Sequence, residues 1–256
     1  MKRSLFLIYG IFCYLVFFGG YAWLAAFVGN LFIPKSIDTG PSGSVPQAIL
    51  VDVLLILIFG VQHSVMARPA FKKIWTRLIP QPIERSTYVL ISSLATMLLM
   101  WQWRPIDTLI WQFEGGFGRW LMMSLFAVGW LAVPTVSLMI NHFDLFGVRQ
   151  VWLHFQNKPY RPLPFRTPLA YGRVRHPLYV AWAVAFWCTP VMTAGHLLFA
   201  SLLTVYMLVA VVFEERDLIV HFGEHYRSYC RNVPRFFPRM KKIAFEDGNV
   251  SHRATT

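Results

Sequence analysis

The chain has 256 residues, 56% of them hydrophobic and only 14% charged, with a formal net charge of +12. A soluble domain carries about a quarter charged residues, so this composition, with a mean hydropathy of +0.47, excludes an ordinary soluble globule and points to an all-α integral membrane protein. The cation excess would suit nucleic acid, but in a membrane chain it reads as a basic cytoplasmic face, so the expected partner is the lipid bilayer and no nucleic acid. Cys13, Cys188 and Cys230 show no CxxC spacing, so neither a disulfide framework nor a metal site is expected.

A span needs about 20 apolar residues. Six stretches qualify in chain order: Ser4 to Phe32, Ala48 to Met66, Arg85 to Trp103, Arg119 to Ile140, Pro177 to Ala194, and Leu197 to Phe213. The first resembles a signal peptide, but it is too long and lacks a clear small-residue cleavage site, so it reads as a retained span. The last two are short and separated only by Gly195 and His196, as in a tight C-terminal helical hairpin. Six crossings with both termini inside place 21 of the 24 Lys and Arg on the cytoplasmic side, the bias expected of a multi-pass protein of the bacterial cytoplasmic membrane. Trp101, Trp103, Trp111 and Trp120 gather at the opposite border, as an interfacial belt would. The expected organisation is a single membrane-embedded domain. Residues 1–140 form a four-span part, 141–240 a cofactor-binding loop, hairpin and cytoplasmic helix, and 241–256 a flexible tail.

Four polar constellations fall on the basic side. In RHPLY, Arg175 to Tyr179, Pro177 suits the first position of a helix, and the approach to that helix favours an anion; the bland reading is an interfacial anchor. In FEERDLIVHFGEHYRSYCRNVPRFFP, Glu214 and Glu215 end an apolar run. They are interfacial caps, or buried carboxylates that need a cationic or hydroxyl partner. Gly223 is a weak point where that helix can end. In NHFDLFGVRQVW, His142 with Asp144 can form a base with an orienting carboxylate, or cap a helix C-terminus. In VQHSVM, Gln62, His63 and Ser64 are polar within or near a span, for a function or for interhelical hydrogen bonds.

YGRVRHPLYVAW, a hairpin, then EERDLIVHFGEHYRSYCRNVPRFFP resembles the signature of the isoprenylcysteine carboxyl methyltransferase superfamily, over about 70 residues; Ala181 stands where that family usually has Gly. LIFGVQHSVMARPAFKKIWTRLIPQPIERSTYVLISSL and INHFDLFGVRQVWLHF resemble the bacterial methanethiol S-methyltransferases and the NnrU-type membrane proteins. The resemblance implies a bundle of about six transmembrane helices with a cytoplasm-facing cavity for S-adenosyl-L-methionine. It implies methyl transfer to a small thiol, methanethiol, giving dimethyl sulfide and S-adenosyl-L-homocysteine.

The cofactor contacts it implies are His176, Tyr179, Tyr171 and Glu214, with Glu215 beside the latter, Gln150 in the preceding loop, and backbone from Leu163 to Arg166. Prenylcysteine enzymes carry a substrate-binding arginine one turn before the Glu pair; here Ala210 stands there, which favours a small neutral thiol. His142 oriented by Asp144 is the expected base, with His176 its competitor and Arg175 able to stabilise a thiolate by charge. The alternatives are a lipophilic acceptor (a prenylcysteine or a phospholipid amine), a haem protein with His63 and a second His such as His142 as ligands, and a non-enzymatic membrane scaffold.

Overall fold

The computed structural model describes residues 2–238; the expected tail at 241–256 lies outside them, as do Arg239, Lys241, Lys242 and Arg253 of the charge count. The elements in chain order are α1 (Lys2–Gly29), α2 (Val45–Ala67), α3 (Pro69–Trp75), α4 (Gln81–Gln102), β1 (Leu109–Gln112), α5 (Gly116–Ile140), α6 (His142–Leu145), α7 (Val148–Phe155), a 3-10 turn (Leu169–Gly172), α8 (Pro177–Trp187), β2 (Val191–Thr193), α9 (Ala194–Phe222) and α10 (Glu224–Asn232).

Four helices, α1, α2, α5 and α9, are long and apolar enough to cross a membrane. Large apolar side chains such as Leu5, Ile8, Leu15, Leu57 and Val61 stay exposed along them, a surface that only lipid suits. The protein is therefore an all-α integral membrane protein that crosses more than once. α4 has 22 residues and runs between α1 and α2 with Ser86, Thr87, Ser92 and Ser93 buried. Two of these hydroxyls turn back onto the helix, Thr87 donating to the Ile83 carbonyl at 2.8 Å and Ser93 to that of Val89 at 2.8 Å, which removes their need for water; Ser86 donates to the Gly147 carbonyl.

Pro134 lies inside α5 and has no N–H for the carbonyl of Trp130; the Tyr21 hydroxyl donates to that oxygen instead. Gly129 brings α5 against α8. A Cβ there would stand 2.6 Å from the Ala185 nitrogen, so only hydrogen allows this approach.

The expected fifth span is corrected in one respect. Its helix, α8, stops at Trp187 after 11 residues, about 16 Å at 1.5 Å per residue, well short of the ~30 Å hydrocarbon core. The chain then continues without helix through residues 188–193 and pairs β2 antiparallel with β1. The Trp111 indole and the Phe113 amide donate to the carbonyls of Thr189 and Pro190, so this backbone is not left bare. The turn of the hairpin is this stretch, and Gly195 and His196 belong to the first turn of α9. Trp103 is also corrected: it is fully buried and donates to the Ile37 carbonyl at 3.1 Å, while Trp101 and Trp120 are exposed.

The two ends of the bundle differ. The apolar core, with Phe27, Ile56, Leu99, Trp103, Trp130, Phe186, Phe199 and Met207, fills the half towards the β ribbon. The other half is polar. There α1 meets α4 through Tyr9 and Thr87 at 3.0 Å, α2 meets α9 through Arg68 and Asp217 at 2.8 Å, and α4 meets α6 through Arg85 and the Leu145 carbonyl at 2.7 Å.

Candidate active site

The polar half is organised around two adjacent carboxylates at the end of α9. Glu215 is buried, 6% exposed. Arg175 donates to its Oε1 from Nε and Nη2, each at 2.8 Å, and His176 Nε2 lies 3.1 Å from the same oxygen. Arg235 donates to Oε2 from Nε at 3.0 Å and Nη2 at 2.6 Å, and these bonds raise its guanidinium above its already high ordinary range. Arg175 also donates to the carbonyls of Cys230 (2.9 Å) and Val233 (2.5 Å). The backbone follows the same path: the Arg175 amide donates to the Pro234 carbonyl at 2.8 Å and the His176 amide to that of Arg235 at 3.1 Å. Arg175 and His176 thus tie the approach to α8 to the segment after α10.

Glu214 is different. Its side chain is 44% exposed. Tyr179 donates to its Oε2 at 2.9 Å, and His176 Nδ1 stands 3.9 Å from that atom. Tyr171 lies within electrostatic reach of it, and burial, reinforced by the Glu214 charge, pushes the Tyr171 phenol up, so it remains a donor at neutral pH. Tyr229 donates to the Tyr171 carbonyl at 2.5 Å. Phe165 packs on Phe222, Tyr226 and Tyr229, which pins the loop that carries half-buried Leu163 and exposed Arg166. Gly223, at φ +58° and ψ −130°, adopts a conformation that essentially only glycine tolerates. It ends α9 and starts α10, so that Tyr226 and Tyr229 fold back under the loop.

Arg175, His176, Tyr179, Tyr171, Glu214 and Glu215 therefore converge. His142, Asp144 and Gln150 belong to a second network. The His142 ring bonds Tyr14 Oη through Nε2 at 2.9 Å and Ser137 Oγ through Nδ1 at 2.7 Å, not Asp144, and burial holds its imidazole below the ordinary range. Asp144 accepts from Arg149 at 2.8 Å, from Tyr160 at 3.3 Å and from Gln150 at 3.4 Å. Gln150 also donates to the Asp144 carbonyl at 3.0 Å, and its own Oε1 is buried without a partner. Asp144 and Gln150 line a cleft of about 670 Å³ whose walls include Lys72, Arg85, Lys158 and Tyr160.

His63 and His142, the pair considered for haem, are each engaged by hydroxyls from neighbouring helices, and no cluster of metal-ligating side chains occurs among the described residues. Sequence reasoning did not single out Arg235, Tyr88 or Tyr206. Arg235 lies inside the signature, directly after Val233-Pro234; the two tyrosines sit in helical runs with no local mark.

No family model matches the chain, and no solved structure matches it. Among characterised proteins it is 52% identical over 242 residues to the methanethiol S-methyltransferase of Crocosphaera subtropica, covering 94% of this chain and 95% of that protein. It is 49% identical over 238 residues to the protein of the same name from Mycobacterium tuberculosis, covering 93% and 98%. Mouse Nurim is more distant, 30% identical over 184 residues, 68% of this chain and 70% of Nurim. Likeness at this level over nearly the whole length, on an apolar bundle with one polar end, establishes that the chain belongs to the membrane methyltransferase family of the methanethiol S-methyltransferases.

Proposed function

We propose that the protein methylates methanethiol to dimethyl sulfide with S-adenosyl-L-methionine as donor, in the bacterial cytoplasmic membrane with both termini on the cytoplasmic side. The observation that carries this reading is the contrast between the two carboxylates. Glu215 is fully engaged within the protein, whereas Glu214 is half-exposed with an oxygen to spare beside two phenols. A ribose diol or an α-ammonium suits a carboxylate in this state. Arg175 and Arg235, by contrast, both bond Glu215, so they hold the frame. The donor set of Glu214, Tyr179 and Tyr171 thus fits the nucleoside or amino-acid part of the cofactor, and His176, tied to Glu215, orients the helix start that carries Tyr179. The resemblance adds Leu163, Arg166 and Gln150 as secondary contacts.

Bound there, the cofactor supplies an electrophilic methyl group. The protein must hold the thiol close, since positioning alone lowers such a barrier by up to about 7–11 kcal/mol, and must let the thiol lose its proton, because the thiolate is the nucleophile. Burial within the bundle keeps water from both partners, which speeds a reaction that cancels two charges. The polar end gives the charged cofactor a watery entry from the cytoplasm, while an apolar thiol can arrive through lipid. Ala210, one turn before Glu214, offers no cation to a carboxylate-bearing acceptor, which favours the small thiol over a prenylcysteine.

Headspace gas chromatography of membranes supplied with methanethiol should detect dimethyl sulfide only when S-adenosyl-L-methionine is added. On purified protein, Glu214→Ala should weaken S-adenosyl-L-homocysteine binding, measured by calorimetry, by at least about tenfold, the worth of one charge-assisted hydrogen bond. Equal affinity in wild type and variant would remove Glu214 from the cofactor site.

A further inference from the structure

Tyr88 and Tyr206 belong to neither carboxylate, yet both lie within electrostatic reach of Tyr179, and Tyr206 of Glu214; His63 joins them through Tyr88. His63 is on the inward face of α2, seven residues after buried Ile56 and three after buried Gly60. Its ring is held between α4 and α9. Its Nε2 is 2.9 Å from Tyr88 Oη and its Nδ1 3.3 Å from Ser92 Oγ. Ser92 also accepts from Gln62 at 3.2 Å, and a hydroxyl oxygen takes two donors. With the ring proton on Nδ1, donated to Ser92, Nε2 is an acceptor facing Tyr88.

Tyr206 accepts from Ser64 at 3.2 Å, and its ring stands edge-on to His63 with centroids 6.4 Å apart. On α9, Tyr206, Ala210 and Glu214 follow at four-residue intervals and share one stripe. Ala210 is half-buried, and its single methyl stands between a phenol and the open carboxylate. Tyr88 and Tyr206 both lie within electrostatic reach of Tyr179. The groups that face His63 are Tyr88 and Arg85 from α4 and Tyr206 from α9, with Arg68 and Glu214 beyond them. The Arg85 guanidinium lies over the Tyr88 ring at 4.9 Å.

We propose that the acceptor thiol binds at Ala210 between Tyr206, Tyr88 and Tyr179, and that its proton passes through Tyr88 Oη to His63 Nε2. This rests on the methyl transfer proposed above and goes beyond it, to the acceptor pocket and the proton path. In the step, the S–H bond breaks and its electron pair stays on sulfur. The Tyr88 oxygen takes the thiol proton while its own O–H proton moves to Nε2. The tyrosine is regenerated, and the charges that appear are a thiolate and an imidazolium. The class of ligand follows from the lining: three aromatic rings and a methyl suit a small apolar thiol.

Three variants test it in purified enzyme. His63→Asn and Tyr88→Phe should each lose about a hundredfold in kcat at neutral pH, the usual worth of a positioned base, and recover as pH rises and solution hydroxide forms the thiolate. Their S-adenosyl-L-homocysteine affinity should be unchanged. Independently of turnover, ethanethiol added to the wild type with S-adenosyl-L-homocysteine should show the ultraviolet absorption of a bound thiolate, and His63→Asn should not. Ala210→Phe should raise KM for methanethiol at least about tenfold, by filling the pocket, with cofactor affinity intact.

If the wild type makes dimethyl sulfide but His63→Asn and Tyr88→Phe keep its kcat and pH profile, the relay is overturned while the methyltransferase reading stands. If His63→Asn does not fold, an unchanged KM in Ala210→Phe overturns the pocket on its own. A wild type that binds S-adenosyl-L-homocysteine yet makes no product from any small thiol sinks the reading on which this rests.

Discussion

Glu215→Ala isolates what the buried ionic junction does. Glu215 is 6% exposed and the Arg175 side chain 9%, so removing the carboxylate leaves a guanidinium with little access to water. Breaking one side of a buried pair costs about 3–5 kcal/mol. The bond from Arg235 adds little: that side chain is 48% exposed, and exposed pairs contribute at most about 1 kcal/mol. Arg175 keeps its carbonyl partners at Cys230 and Val233, which offsets part of the loss.

The damage should be local. The junction joins α8, the end of α9 and the segment 230–235, whereas the apolar core lies in the far half of the bundle. The expected result is faster hydrogen exchange over 224–235 and over the start of α8, with α1 and α5 protected as before. S-adenosyl-L-homocysteine affinity should fall as well, because the frame behind Tyr179 loosens. Glu215→Gln should show a smaller effect, since its amide oxygen still accepts from Arg175. Exchange over 224–235 that is identical in wild type and Glu215→Ala would mean that the aromatic packing of Phe165, Tyr226 and Tyr229 holds the segment unaided, and the reasoning would be refuted.

Two further expectations concern the helices that carry the site. Gly129→Ala places a Cβ 2.6 Å from the Ala185 nitrogen, about 0.8 Å inside ordinary contact. α5 and α8 must part, at an overpacking cost of about 1–3 kcal/mol, so the melting temperature in detergent should drop together with cofactor affinity; an unchanged melt would show that the pair has slack. His142 has its imidazole held below the ordinary value of 6.5 by burial. The unfolded chain therefore binds a proton at a pH where the folded one does not, and stability falls as pH drops below about 6.5 until the folded value is reached. His142→Gln should flatten that acid-side slope in a series of thermal melts, and a parallel slope would assign it to other groups.

Much of this was legible in the chain. The spans at α1, α2, α5 and α9 are long apolar runs, and nothing else lets a backbone cross lipid so economically. Gly223 announced its break because no other residue adopts that conformation without strain. The convergence of Arg175, His176, Tyr179 and Glu214 followed from a resemblance between segments about 35 residues apart, which no local rule supplies. What escaped was decided by distant partners. The end of α8 at Trp187 depends on β1, some 80 residues earlier in the chain, and Gly195 was the more conspicuous punctuation. Glu214 and Glu215 are adjacent, so sequence treats them alike, but neighbours on a helix point about 100° apart, and only one of them meets Arg175. Asp144 was paired with His142 on proximity in sequence, while Arg149, Gln150 and Tyr160 reach it in space.

The half-helical segment at 177–193 bears on how the protein enters its membrane. A segment with 11 helical residues is too short to be released into lipid as a free-standing unit, and its unpaired peptide groups would be costly there. The strand that covers them, 109–112, precedes this segment in the chain and is synthesised first. Translation order thus matches docking order, and a chain in which 109–112 is moved behind the last helix should stall during biogenesis even though every contact of the finished molecule remains available.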